Sequence, residues 1–120
     1  MWNQPSTEQL AAIPRLNSQP DTPLNDMIIY LYFFVGGCDW YIAEYDGNDT
    51  FFGFACLGDV EMAEWGSISF QELKELEIPS DVIDETTKTD MWMMNDEVEC
   101  ERNWKPRKFA EIAQEKGYPL

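Results

Sequence analysis

The chain has no histidine. Imidazole is the usual general base beside a Ser or Cys nucleophile and the commonest nitrogen ligand for a metal. Its absence excludes Ser-His-Asp and Cys-His catalysis and every His-containing metal site. Bases of any kind are scarce: eight Lys and Arg stand against 23 Asp and Glu, for a net charge of -15 on 120 residues. No Lys or Arg occurs from Leu16 to Leu73, a stretch that carries ten Asp and Glu. A surface of this sign repels phosphate, which argues against direct nucleic-acid binding and against an anionic membrane. Basic proteins, basic peptides and cations remain as partners.

Cysteine is also sparse. Cys38, Cys56 and Cys100 are odd in number, far apart and without a CxxC pair. This fits thiols in a reducing compartment, and hence a cytoplasmic protein, better than a disulfide scaffold. Cys56, between Ala55 and Leu57, reads as core, and acidic neighbours argue against a reactive thiolate elsewhere. Long apolar runs are missing as well. The longest, Met27 to Val35, has nine residues and is too short for a membrane helix. Met1 to Pro5 lacks a basic region followed by an apolar run, so the sequence reads as having no signal peptide.

What is present is enough for a core: 44% of residues are hydrophobic and 14% aromatic, which excludes global disorder despite the charge. Ser6 with Gln9 forms a capping box and predicts a short helix over 6–13, ended by Pro14. Residues 14–26, with three prolines, read as an extended connector. Met27 to Phe34 predicts a strand rich in β-branched and aromatic residues. After Gly36-Gly37, residues 39–46 alternate, with Trp40 and Ile42 on one face and Tyr41, Ala43 and Tyr45 on the other. Asp46-Gly47-Asn48-Asp49 is a turn, and Phe51 to Leu57 returns antiparallel. Gly53 in that strand marks a bulge or a close backbone contact. Glu61 to Ile68 predicts a further strand. Ser69 and Glu72 cap a helix over 69–77, and Phe109, Ile112 and Ala113 predict another over 108–116. Val98 to Arg102 reads as a short edge strand, and residues 80–97 as an irregular acidic insert. The expectation is one α+β domain over 1–120. Its sheet core spans 27–70, with an antiparallel sheet of four or five strands and two or three short helices.

Several of these motifs occur in an order that resembles one family. Asp39-Trp40-Tyr41 with Glu44-Tyr45-Asp46 matches a W-x-x-x-E-x-D strand, and Phe52-Gly53-Phe54 with Leu57-Gly58 an F-G-x-x-x-L-G strand. Trp65-Gly66-Ser67-Ile68-Ser69-Phe70-Gln71-Glu72-Leu73 matches a strand-to-helix junction. Glu101-Arg102-Asn103-Trp104-Lys105-Pro106 is similar to an E-R-D-x-x-[FW]-x-P segment, with Asn103 where Asp is usual and a shorter spacing to the aromatic residue. The chain thus resembles the bacterial and phage family known as domain of unknown function 2958, over roughly 6–78 and 97–118. The resemblance implies a role on a phage or mobile element and transfers no catalytic residue, cofactor or metal.

Three groups of residues could carry function. Glu44 and Asp46 lie two apart on one strand, so their carboxylates either converge on a ligand or form a solvent-facing polar edge. Arg102 beside Trp104 could orient a ligand anion, or could make an internal ion pair or cation–π contact. The fragment from Asp46 does not make a calcium loop, since Leu57 stands where the twelfth-position glutamate belongs. The third group is the acidic surface. Met91, Trp92, Met93 and Met94 lie among Asp90, Asp96 and Glu97, and Asp59, Glu61 and Glu64 extend the charge. Trp and Met are common at interfaces, so this set suits a basic protein with an apolar pocket; the alternative reading is a run that packs on the protein's own core or a flexible insert. Residues 1–101 hold three bases and 21 acids, whereas residues 102–120 hold five bases and two acids. The leading expectation is a non-enzymatic acidic interaction protein that takes a basic host protein, by DNA mimicry in its sharpest form. The alternatives are a small-ligand module or weak enzyme using Glu44, Asp46 and Arg102, and a protein whose charge serves solubility alone. The oligomeric state is left open.

Overall fold

The first helix forms where the capping box stands. In the computed structural model, which describes residues 5–79 and 95–118, α1 spans Thr7–Ala11. The Gln9 N–H donates to Ser6 Oγ at 3.0 Å, and the Ser6 N–H donates to Gln9 Oε1 at 2.9 Å. Two of the donors at the start of the helix are thereby satisfied. The connector that follows is tied to the sheet through the Tyr45 N–H, which donates to the Pro14 carbonyl at 2.9 Å. It ends in a 3-10 turn at Leu24–Asp26.

The strands are β1 (Ile28–Ile29), β2 (Leu31–Val35), β3 (Cys38–Tyr45), β4 (Thr50–Leu57), β5 (Glu64–Ser69), β6 (Glu77–Pro79), β7 (Asn95–Glu97), β8 (Glu99–Cys100) and β9 (Arg107–Lys108). Helix α2 spans Phe70–Glu75 and α3 spans Phe109–Lys116. Five strands form one antiparallel sheet in the order β5-β4-β3-β2-β8, and β1-β9 and β6-β7 form two small pairs. This is the expected α+β architecture, with Glu99–Cys100 as the expected edge strand. Four boundaries differ. The helix expected over 69–77 ends at Glu75, since Glu77–Pro79 forms β6. The strand expected over 27–34 is broken at Tyr30, because Ile28 and Ile29 pair with β9 while the Tyr30 N–H donates to Ile42. The strand expected from Glu61 starts at Glu64, because Val60–Met62 coils into a 3-10 turn capped by Asp59. The segment read as irregular over 80–97 ends in a strand, since Asn95–Glu97 pairs with Glu77–Pro79.

The central strand β3 is buried on both faces from Trp40 to Glu44. On one face Leu31, Phe33, Trp40, Ile42 and Phe51 pack under Phe70 and Leu73 of α2 and under Ile13. On the other, Met27, Ile29, Tyr41, Ala43 and Phe54 pack under Phe109, Ile112 and Ala113 of α3 and under Tyr118. Each helix therefore covers one side of the sheet with its apolar stripe. Helix α3 closes at Gly117, whose φ of 78° lets its N–H reach the Ala113 carbonyl at 2.8 Å.

One irregularity decides where the functional side chains point. The β3–β4 register shifts between Ile42 and Glu44. Gly53 lies opposite Ile42, and a Cβ there would stand 2.0 Å from the Tyr41 carbonyl oxygen. Only glycine permits that approach, so the close contact is the alternative realised at Gly53, while the bulge lies on the facing strand, with Ala43 of β3 as the extra residue. The extra residue reverses the alternation downstream. Tyr45, expected on the face of Tyr41 and Ala43, instead packs with the cluster of Trp40 and Ile42.

Candidate functional site

Half of the ten acids between Leu16 and Leu73 have internal work. Asp46 Oδ1 accepts from the N–H groups of Asn48, Asp49 and Thr50 at 2.8, 2.9 and 3.1 Å. The Asn48 bond is the largest cause that holds its carboxyl below the usual carboxylate value. Asp49 closes the start of α2: it accepts from Ser69 Oγ at 2.8 Å and from the Gln71 N–H at 2.7 Å, and its carbonyl takes the Phe70 N–H. Asp59 caps the 3-10 turn by accepting from the Glu61 N–H at 2.9 Å.

Asp39 is the anchor of a tyrosine network. Tyr32 donates a short hydrogen bond to Asp39 Oδ1, Tyr118 donates to Oδ2 at 3.3 Å, and Tyr118 shares a 3.0 Å hydrogen bond with Tyr41. Burial, above the other causes, raises all three phenols above their ordinary value. No short-range pattern announces this set, because Tyr118 comes from the far end of the chain.

Glu44 is the fifth internal acid. It is 4% exposed, the one buried charged residue among those described. This overturns the solvent-facing reading for Glu44: β3 is covered on both faces here, and the bulge sets Glu44 on the side of Met27 and Phe52. Its Oε1 accepts from the Asn17 N–H at 2.9 Å and its Oε2 from Gln19 Nε2 at 3.1 Å. Glu44 lines a cleft of about 500 Å³. Asp46 lines a different hollow beside Thr7 and Ala11, and Arg102 lines neither. The expected trio of Glu44, Asp46 and Arg102 is therefore not assembled around either hollow. Arg102 is exposed after β8. Its neighbour Trp104 donates from Nε1 to the Ile29 carbonyl at 2.8 Å and packs on Tyr32, with ring centroids 5.3 Å apart. The ion pair among the described residues is Arg107 with Glu115, at 2.9 Å.

The remaining acids of the stretch, Asp21, Asp26, Glu61, Glu64 and Glu72, are exposed. Three of them border one surface at the outer edge of the sheet. There β4 runs out at Leu57, which is 65% exposed, and the 3-10 turn presents Val60 and a 76% exposed Met62. A groove of about 530 Å³ continues from Leu57 along β5 to α2, lined by Trp40, Glu64, Ile68, Glu72, Leu73 and Leu76. Leu57 lines this groove with Glu64 and Glu72, and Val60 and Met62 stand exposed in the turn beside Glu61. Of the residues singled out in the sequence, Asp59, Glu61 and Glu64 meet at this edge, with Asp59 turned to capping. Leu57, Val60 and Met62 were missed, because single apolar residues beside turns carry no periodic signal. Asp96 and Glu97 belong to β7. Asp90, Met91, Trp92, Met93 and Met94 lie outside the described residues.

All three cysteines carry thiols. Burial and then Glu101 push the Cys100 thiol up to about 11, and burial and then Asp39 raise that of Cys38. No helix among the described residues is long and apolar enough to cross a membrane. A family described as "Protein of unknown function (DUF2958)" matches residues 5–97, most of the chain, ending before the Glu101–Pro106 segment. No curated protein and no solved structure matches the chain.

Proposed function

This chain belongs to the DUF2958 family, and from that premise we propose that it is a non-enzymatic acidic interaction protein of a phage or mobile element that takes a basic host protein. The surface proposed for the partner is the sheet edge of Leu57, Val60 and Met62 with Glu61, Glu64 and Glu72. The observation that carries the reading is the exposure of Met62 and Leu57, at 76% and 65%, in the segment that also presents Glu61 and Glu64. Interfaces of this kind combine an apolar centre with a polar rim: the centre holds the partner and the rim steers it. The partner class with the densest cationic face is a DNA-binding protein, so DNA mimicry is the specific form of the proposal. The net charge of -15 supports fast, salt-sensitive capture of such a face.

The test is comparative capture from host lysate at about 50 mM salt, near the limit of weak screening. The wild type is expected to retain DNA-binding proteins that a Leu57→Ser/Met62→Ser variant releases. Both positions are exposed, so the variant keeps the fold. If both proteins retain the same set, or neither retains a basic protein, the proposal fails.

A further inference from the structure

Buried carboxylates in proteins are normally met by a cation, because a charge taken out of water is costly unless paired. Glu44 departs from this. It is 4% exposed, yet its bonded partners are a backbone amide and a side-chain amide, both neutral. No Lys or Arg among the described residues forms an ion pair with it. A carboxylate offers about four acceptor positions. Here two are filled, one on each oxygen.

The surroundings are equally specific. Glu44 lines a cleft of about 500 Å³ together with Phe52, Met27, Pro20, Pro23 and Leu24. That volume is in the range of small-molecule sites, and a mostly apolar lining with a few polar groups is their usual character. The carboxylate is aimed there by two backbone features. The β3 bulge turns it from the α2 side of the sheet to this side. Asn17, at a φ of 61°, is held in the left-handed region while its N–H donates to Oε1. A left-handed residue and a bulge together set one buried carboxyl group beside an open, largely apolar space.

We propose that this cleft binds a small organic cation, an ammonium or amidinium carried on an apolar or aromatic body. The cationic head would take the open acceptor positions of Glu44. The body would lie against Phe52, Met27 and the two prolines, with Thr22 and Ser67 as polar neighbours. The site is separate from the sheet-edge surface and does not depend on it.

The experiment is an amide NMR titration of the full chain with benzamidine and phenethylamine, and with phenethyl alcohol as the neutral control. Saturable shifts are expected for both cations at Asn17, Gln19, Glu44 and Phe52, with none for the alcohol. Glu44→Gln keeps the shape and removes one charge of 23 acids, so diffuse attraction to the acidic surface is left nearly intact. It should weaken both cations roughly tenfold or more, as expected for a lost charge-assisted hydrogen bond. Thr22→Trp, which fills the cleft from its rim and leaves Glu44 in place, should abolish the shifts, and it decides the matter if Glu44→Gln does not fold. Shifts spread over the exposed carboxylates, binding of the alcohol equal to that of the cations, or cation binding that survives Thr22→Trp would each overturn the proposal.

Discussion

Three backbone N–H groups converge on a single oxygen of Asp46, so this residue fixes the β3–β4 turn although it is fully exposed. Its folded pKa is lowered, with the Asn48 bond as first cause. The stability it contributes is therefore present above the unfolded carboxylate pKa and is lost as the pH falls through the folded value. Asp46→Ala should lower Tm at pH 7, and the difference from wild type should vanish in acid; calorimetry at both pH values checks this. The tyrosines around Asp39 have the opposite sign. Their folded pKa values are raised, mainly by burial, so the stability they contribute is full below the ordinary tyrosine pKa of about 10 and is lost above it. Absorbance at 295 nm should show Tyr32, Tyr41 and Tyr118 ionising only together with alkaline unfolding. Separate ionisation in the folded protein would contradict the network. Cys56 and Cys100 are buried, so Ellman's reagent at pH 8 should reach them only after denaturation, with Cys38 reacting first.

At the scale of the element, the β3–β4 pair depends on Gly53. Its Cβ position lies 2.0 Å from a backbone oxygen, and a backbone cannot give way as a side chain can. Gly53→Ala should cost roughly 3 kcal/mol, at the top of the usual range for overpacking. It should also disturb the amide shifts of Tyr41 to Glu44; urea unfolding and NMR measure the two. This strand pair marks where sequence reasoning stopped. Ser6 with Gln9, the Asp46–Asp49 turn and the stripe of Phe109, Ile112 and Ala113 are local patterns, and each formed its expected element within a few residues. The bulge is not local: it needs Gly53 on one strand and an extra residue on the other. Strict alternation therefore puts Tyr45 on the wrong face, and the burial of Glu44 excludes a solvent-facing position. The Asp39 network escaped for the same reason, since its members are far apart in the chain. Asp49 reads locally as a turn residue, and its second task at the start of α2 exists only once β5 folds beside it.

At the scale of the whole molecule, the charge layout divides into two populations. Asp39, Glu44, Asp46, Asp49 and Asp59 satisfy hydrogen-bond donors within the fold, so the base-free stretch is partly a structural device. Glu61, Glu64 and Glu72 face outward around an apolar edge, and on that edge the proposed interaction rests. The most direct measurement is the association of the captured basic partner with this protein as salt is raised, followed by competition with duplex DNA. The association rate should fall steeply with salt, through loss of electrostatic steering. Met62→Ser should speed dissociation, and DNA should displace the protein from its partner. An affinity indifferent to salt, or a complex that binds DNA and this protein at once, would contradict the proposed interaction.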